Sequence, residues 1–404
     1  MGGLAAAKAV APYFNKVSVL DRDALPAGSD VRPGTPQARH AHALLAGGST
    51  ALEALFPGIG SDLLKAGAIK ARAGLAVRYE QPGFDPFPQR DLGFDTFCLS
   101  RPLLEHVCRQ RLGQEPNIEL RHRSRVTDVA PSTDPRDAVT VMFEDDGGTP
   151  RSVSADLVVD ASGRAVPTTS LLDKLDAPEL EVTEIGIDQA YATAVFEIPA
   201  NVSRDWMGLA HFGAPPEQNY GGLIFPIEHE RWIVSLGNLH GGALPGEIEG
   251  FKAFVKAFRM PTFFDAIKGA RQVGEIARYS MPASVRRHFD RFERFPSAMI
   301  PLGDSVCRFN PVFGQGMTVA AQEAALLHAC LVEGETDLAR RFFRAAAGAI
   351  DTPWDIAVGN DLRHPQVAGP RPAKVRFINW YIGKLHMAGR YDAGLSNAFL
   401  RVAN

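Results

Sequence analysis

The chain has 404 residues, 45% of them hydrophobic and 22% charged, with a formal net charge of −3. That length allows two or three domains with an ample core, the composition is that of a soluble globular protein, and the charge gives no reason to expect nucleic acid or an anionic membrane as partner. Four cysteines (Cys98, Cys108, Cys307 and Cys330) form no CxxC pair and no metal-ligand spacing, so they read as reduced thiols of a cytoplasmic protein. No run of about 18 apolar residues and no charged segment leading into an apolar core is present, so neither a membrane span nor a signal peptide is expected.

Gly2 to Val10 reads as the opening of an alanine-rich helix stopped near Pro12, and Lys16 to Leu20 as a buried parallel strand with Asp21 at its end. A helix followed by a strand ending in a carboxylate is the second half of a dinucleotide-binding βαβ unit, where the acid takes a ribose hydroxyl about 20 residues after the glycines. Asp21 lies 18 residues after Gly3. The first strand and first glycines of G-x-G-x-x-G have no counterpart, and the expectation is that both ends are clipped from a longer chain, with a gap in the core where that strand belongs.

Arg32 to Ala46 is a polar loop entering a helix, with Arg39, His40 and His42 close together. The two histidines lack a carboxylate or cysteine at useful spacing, so they read as loop residues beside a cofactor edge or solvent rather than as metal ligands. Thr50 to Ala68 reads as helical and Ala71 to Phe97 as a hairpin around Pro82-Gly83. Ser100 to Leu112 is an amphipathic helix with a serine cap and a first-turn proline. Ile118 to Val129 and Ala138 to Phe143 alternate as strands, and Ala155 to Ser162 is a buried strand ending at Gly163-Arg164. Tyr191 to Ile198, Gly221 to Ile227 and Arg231 to Leu236 read as a mostly antiparallel sheet, and Phe251 to Phe264 as an aromatic-rich helix. Residues 1–75, 98–166 and 296–345 are expected to form a cofactor domain, 76–97 and 167–295 a substrate domain, and 346–404 a helical region. Within the last, Lys374 to Arg390 carries Phe377, Trp380 and Tyr381 among basic residues. It reads as an amphipathic helix packed over the core, with an interfacial membrane helix as the alternative.

The most informative stretch is Met299 to Ala325. An apolar run ends in Gly303-Asp304, a loop follows with Asn310-Pro311 and Gly314-Gln315-Gly316, and an alanine-rich helix begins near Met317. Glycines let the backbone approach a ligand, and a helix N-terminus offers free N–H groups and a positive dipole end to a diphosphate. An ordinary strand–loop–helix turn is the bland reading of the glycines alone.

Taken together, GGLAAA (Gly2 to Ala7), VLDRD (Val19 to Asp23), GTPQARHAHALL (Gly34 to Leu45), SRPLLE (Ser100 to Glu105), ADLVVDASGR (Ala155 to Arg164) and GDSVCRFNPVFGQGMTVAAQEA (Gly303 to Ala324) resemble FAD-dependent monooxygenases of the aromatic-hydroxylase and squalene-epoxidase type. The loop GTPQARHAH and the GQGM ending look similar to those of actinobacterial polyene epoxidases. The resemblance implies an α/β fold: a Rossmann-like FAD domain, an inserted mostly antiparallel substrate sheet and a helical C-terminus. It implies that Gly2 and Gly3 approach the FAD diphosphate and that Asp21 holds the ribose, with Arg22 and Arg39 in the same cofactor set. Arg101, Gly303 and Asp304 would serve the diphosphate and ribityl chain, and Pro311, Gly314, Gln315, Gly316 and Met317 the isoalloxazine. Asp160 would support the turn. NAD(P)H would reduce the flavin, and a flavin hydroperoxide formed with O2 would epoxidise or hydroxylate an apolar small molecule, with no catalytic side chain and no metal. The alternatives are a flavin-dependent reductase of prenyl double bonds and a catalytically degenerate flavin-binding protein; a halogenase is disfavoured because no WxWxIP segment exists.

Overall fold

The computed structural model describes residues 1–132, 139–200, 204–215, 217–395 and 397–398. Ala138, where one strand was expected to begin, and the LRVAN terminus lie outside the described residues. Alanine is the strongest helix former, and Gly2–Val10 is a helix closed by a turn through Pro12; Ala5, Ala6, Ala7 and Ala9 are buried. Val17–Leu20 follows and pairs in parallel with Ile118–Arg121, while Val158–Asp160 pairs in parallel with Met299–Pro301. Both pairs contribute to the wall of one cavity, and among the described residues no strand joins them.

The second layer is an eight-stranded sheet. Its order is Cys307–Arg308, Gln272–Arg287, Val182–Glu197, Arg231–Leu239, Tyr220–Ile227, Gly208–His211, Val77–Gln81, Phe84–Phe87. All neighbours are antiparallel except Gly208–His211 against Val77–Gln81. The sequence reading found only part of this sheet. The strand expected at Tyr191 starts at Val182, and Gln272–Arg287 was not anticipated, because its charged residues and Pro282 mask the alternation. Residues 69–98 form four strands rather than one hairpin: only Val77–Gln81 and Phe84–Phe87 turn at Pro82-Gly83, and Ile69–Arg72 pairs with Asp95–Cys98. Likewise Ile118–Arg121 and Arg125–Pro131 belong to different sheets. The helices expected at 50–68 and 251–264 are each broken in two, at Pro57-Gly58 and before Pro261, as proline and a positive-φ glycine dictate.

Among the described residues the C-terminal region has two long helices, Leu338–Asp361 and Ala373–Gly389. The second was expected to pack its aromatic face on the core. Instead Phe377, Trp380 and Tyr381 are exposed, Phe377 stacking on Tyr381 at 6.2 Å, while Val375, Ile378 and Ile382 contribute to the cavity wall.

The Gln315–Val332 helix is the hub of the first layer. It packs on Gly2–Val10, Ala46–Leu55 and Leu338–Asp361, through Val319, Ala320, Ala321, Ala324 and Leu327, all buried. Gly48 sets how near the Ala46–Leu55 helix comes: a Cβ there would lie 2.8 Å from Thr318 Cα. Gly48→Ala is therefore expected to lower stability by about 1–3 kcal/mol, since backbone rather than a side-chain end must yield. Gly348→Ala, on an exposed helix position with open space, is expected to raise it by up to about 1 kcal/mol. Urea denaturation of the two variants beside the parent checks both signs.

Candidate functional site

The two layers enclose one cavity of about 2760 Å3. Ligand pockets commonly span roughly 300–1,000 Å3, so this one has room for a large cofactor beside a second molecule. Two helices begin at its wall. Neither Gly2–Val10 nor Gln315–Val332 carries a side-chain cap from its N-cap residue, and the first turns of both line the cavity.

At one end stands Asp21, the strand-end carboxylate. Arg32 donates to both its oxygens at 3.0 and 2.9 Å, to Asp23 at 2.9 Å and to Glu105 at 3.4 Å. Asp23 in turn accepts from the Gly34 amide at 2.8 Å, fixing the loop that supplies Arg32. Glu105 is buried one turn into the Arg101–Leu112 helix and accepts from Arg101 Nε at 2.9 Å. Burial alone would raise its pKa, but the Met1 ammonium at 3.6 Å, Arg101 and Arg32 hold it at about 2. Arg101 also donates to His42 Nε2 at 3.4 Å, and His42 Nδ1 lies 2.9 Å from the His40 carbonyl. A carbonyl can only accept, so the proton sits on Nδ1 and Nε2 is the acceptor; burial, then Arg101, holds this imidazole neutral with a pKa of about 3.

At the centre is the Gly303–Ser305 turn. Gly303 has φ +68, a conformation that favours glycine, and its amide donates to Glu323 Oε2 on the Gln315–Val332 helix. Glu323 is fully buried with Oε1 unpartnered, and burial pushes its pKa to about 8, opposed by the Gly303 amide. Asp304 reaches the cavity; burial raises its pKa, against the pull of Arg101 and Arg308. Asp160 accepts from Ser162 N, Thr168 N and Thr168 Oγ1 at 2.9, 3.2 and 2.6 Å and from Ser305 Oγ at 3.3 Å, tying its own turn to that of Gly303. Beyond, Asn310 caps the Pro311–Phe313 turn by accepting from Val312 N at 3.1 Å, and its amide donates to Asp361 at 2.7 Å.

Gly2, Gly3, Asp21, Arg22, Arg101, Gly303, Asp304, Pro311, Gly314, Gln315, Gly316 and Met317 all line this cavity. Arg39 does not: the turn Pro36–Arg39 leaves it exposed and sends His40 inward instead. Gly2 also has a packing reason, since a Cβ would meet Leu302 at 3.0 Å. The sequence reading missed Arg32, Glu105, Glu323 and Asp361 as site residues. An Arg32 that close to a strand-end acid was a usable signal; for Glu323 and Asp361, which look like ordinary helix carboxylates, only the fold reveals burial. Among the described residues no group of three or more His, Cys, Asp or Glu side chains is placed to hold a metal.

The Glu323 carboxyl makes a pH prediction. The folded protein keeps that proton up to about pH 8, whereas the unfolded chain releases it near the ordinary carboxyl value of 4.5. Stability from this group is thus complete in acid and is lost as pH rises through about 8, by at most about 4–5 kcal/mol. Glu323→Gln keeps an acceptor for the Gly303 amide and cannot ionise. Its melting temperature is expected to exceed the parent's near pH 8.5 and not near pH 5, measured by calorimetry across that range.

No protein-family model matches the chain. The Protein Rv3254 of Mycobacterium tuberculosis (strain ATCC 25618 / H37Rv) is 30% identical over 418 residues, covering 99% of this chain and 87% of that protein. Among solved structures, p-nitrophenol 4-monooxygenase PnpA from Pseudomonas putida DLL-E4 superposes with a TM-score of 0.69 at 16% identity, over 100% of this chain and 95% of that one. The flavin-dependent brominase Bmp2 gives 0.67 at 14% over 100% and 90%. PqsL, a probable FAD-dependent monooxygenase from Pseudomonas aeruginosa, gives 0.63 at 16% over 90% and 94%. The expected α/β architecture with its large sheet and helical C-terminus is thereby borne out. The chain belongs to the family of Protein Rv3254 and has the fold of the flavin-dependent monooxygenases and halogenases.

Proposed function

We propose that this protein is an FAD-dependent monooxygenase that uses NAD(P)H and O2 to hydroxylate or epoxidise a largely apolar small molecule. One observation carries the reading: two uncapped helix N-termini, the strand-end Asp21 and the Gly303-Asp304 turn converge on one cavity that the eight-stranded sheet also walls. The reaction class is the one named for PnpA and PqsL. The donor set suits the cofactor: helix first-turn amides and Arg101 for a diphosphate, and Asp21 for a sugar hydroxyl.

Bound FAD supplies the route by which electrons from a nicotinamide reach dioxygen. The chain's own residues bind, orient and exclude water. Glu105 and neutral His42 hold the Arg101 guanidinium from two sides. Glu323 fixes the Gly303 amide, and with it the position of Asp304. Asn310 holds the Pro311–Phe313 turn that precedes the Gln315–Val332 helix. Met281, Leu236 and Leu239 give the substrate side an apolar wall that limits water entry.

Reconstitution with FAD is expected to give a yellow protein that oxidises NAD(P)H faster when an acceptor substrate is added, with matching oxygen uptake. Asp304→Ala is expected to weaken FAD binding at least about tenfold, read from flavin fluorescence, while the melting temperature without FAD changes little. Turnover that continues without oxygen would move the reading to a flavin-dependent reductase of double bonds. FAD binding with no reaction towards NAD(P)H would leave a non-catalytic flavin protein.

A further inference from the structure

Among the described residues, every exposed phenylalanine, tryptophan or tyrosine lies in one short stretch of chain. Phe377, Trp380 and Tyr381 are 61, 58 and 51% exposed, Met387 is 59% exposed, and Tyr391 and Leu395 continue the series past the end of the Ala373–Gly389 helix. Isolated apolar side chains on a surface need no explanation, but a contiguous aromatic run does. Steps of three and four residues place Phe377, Trp380, Tyr381, Lys384 and Met387 on one side of the helix, with Lys384 among the aromatics. The other side carries Val375, Ile378, Ile382 and Leu385, which wall the cavity.

Charge is segregated along the same stretch. From Leu362 to Tyr391 the chain has six basic residues (Arg363, Arg371, Lys374, Arg376, Lys384 and Arg390) and no acidic one, although the whole chain carries a net −3. Asp392 is the first acid to follow. All six but the half-buried Arg371 are exposed. The helix is held in this attitude from both ends. Arg371 donates to the carbonyls of Leu362, His364 and Val367 at 3.0, 2.9 and 2.7 Å, and Asn379 Nδ2 to that of Gly359 at 2.7 Å. At the far end Arg90 donates to the Arg390 carbonyl at 2.9 Å and Arg390 to that of Gly83 at 3.3 Å. The aromatic side is thereby fixed outward.

We propose that this outward side of the Ala373–Gly389 helix docks the protein on the surface of an anionic lipid bilayer. The Phe377, Trp380 and Tyr381 rings enter the boundary between head groups and acyl chains, and the basic residues meet the lipid charges. Tryptophan and tyrosine pair an apolar ring with a polar tip, and lysine and arginine an apolar stem with a charged head, so each suits that boundary. The chain's overall negative charge does not oppose the contact, because screening over about 10 Å at 0.1 M salt leaves the nearby charges to decide. Among the described residues no helix is long and apolar enough to cross a membrane, so the helix lies on the surface. A second copy fits less well: a two-fold contact sets the patch against itself and brings Lys384 and Arg376 towards their own duplicates. Because the same helix walls the cavity from its other side, docking sets that wall on the lipid.

Trp380 is a private reporter, since the other three tryptophans, Trp206, Trp232 and Trp354, are buried. The full chain is mixed with phosphatidylcholine vesicles, either pure or containing about one-third phosphatidylserine, and followed by co-sedimentation and by tryptophan emission. It is expected to bind the anionic vesicles at least about tenfold more tightly than the neutral ones near 0.1 M salt and to lose most of that binding near 0.5 M. Emission is expected to move to shorter wavelength on binding. Trp380→Phe is expected to keep the binding and lose the spectral shift. Lys384→Glu is expected to weaken binding at least about fivefold, and Phe377→Ser combined with Trp380→Ser at least about tenfold. All these side chains are exposed, so each variant is expected to melt with the parent. No binding to anionic vesicles, equal binding to neutral ones, or unchanged binding in both Lys384→Glu and the double variant overturns the proposal. A dimer in solution that the double variant turns into monomer, with no vesicle binding, overturns it in favour of a second copy. None of these readouts uses the flavin, so the result is independent of the monooxygenase reading.

Discussion

The close approach of helices around Gln315–Val332 is the constraint on which the site depends. Alanines and glycines at the contacts let three neighbouring helices reach this one at distances that larger side chains forbid; the 2.8 Å between a notional Gly48 Cβ and Thr318 Cα is the tightest measure of it. The same contacts fix where the helix begins. Its first turn and that of Gly2–Val10 therefore meet at the wall of a single cavity, so the geometry of the site is a product of core packing.

Charge in that site is managed by compensation. Asp21, Asp23 and Glu105 share Arg32, Glu105 also takes Arg101, and the two histidines on the adjoining loop stay neutral. Glu323 and Asp361, without cationic partners of this kind, are raised towards neutrality and remain as buried acids. The carboxylates thus divide into a group around Asp21 that shares arginine partners and a second group, Glu323 and Asp361, that burial raises.

Local patterns carried the cofactor layer. GGLAAAKAV, KVSVL-Asp21 and GDSVCRFNPVFGQGM state helix, strand end and turn within short windows, and the ten candidate residues within them all line the cavity. The eight-stranded sheet was far less legible. Val182–Glu197 and Gln272–Arg287 are long, bulged strands with charged faces, so alternation fails over much of their length and cross-strand pairing decides the structure. Arg39 and His40 show the same limit at one residue's scale: which of the two turns inward is set by the turn geometry of Pro36–Arg39, which no spacing rule expresses. The exposed aromatics of Ala373–Gly389 misled because an amphipathic pattern says that one face is apolar, not which neighbour it meets.

The cysteines have a chemical consequence. Cys108, Cys307 and Cys330 are buried, and burial pushes Cys108 to about 12 and half-buried Cys98 to about 11, with Cys307 also raised well above its ordinary value. The thiolate is the form that oxidants attack. A protein of this build carries its four cysteine sulfurs as inert packing, and an oxidant reaching them would meet almost no ionised thiol.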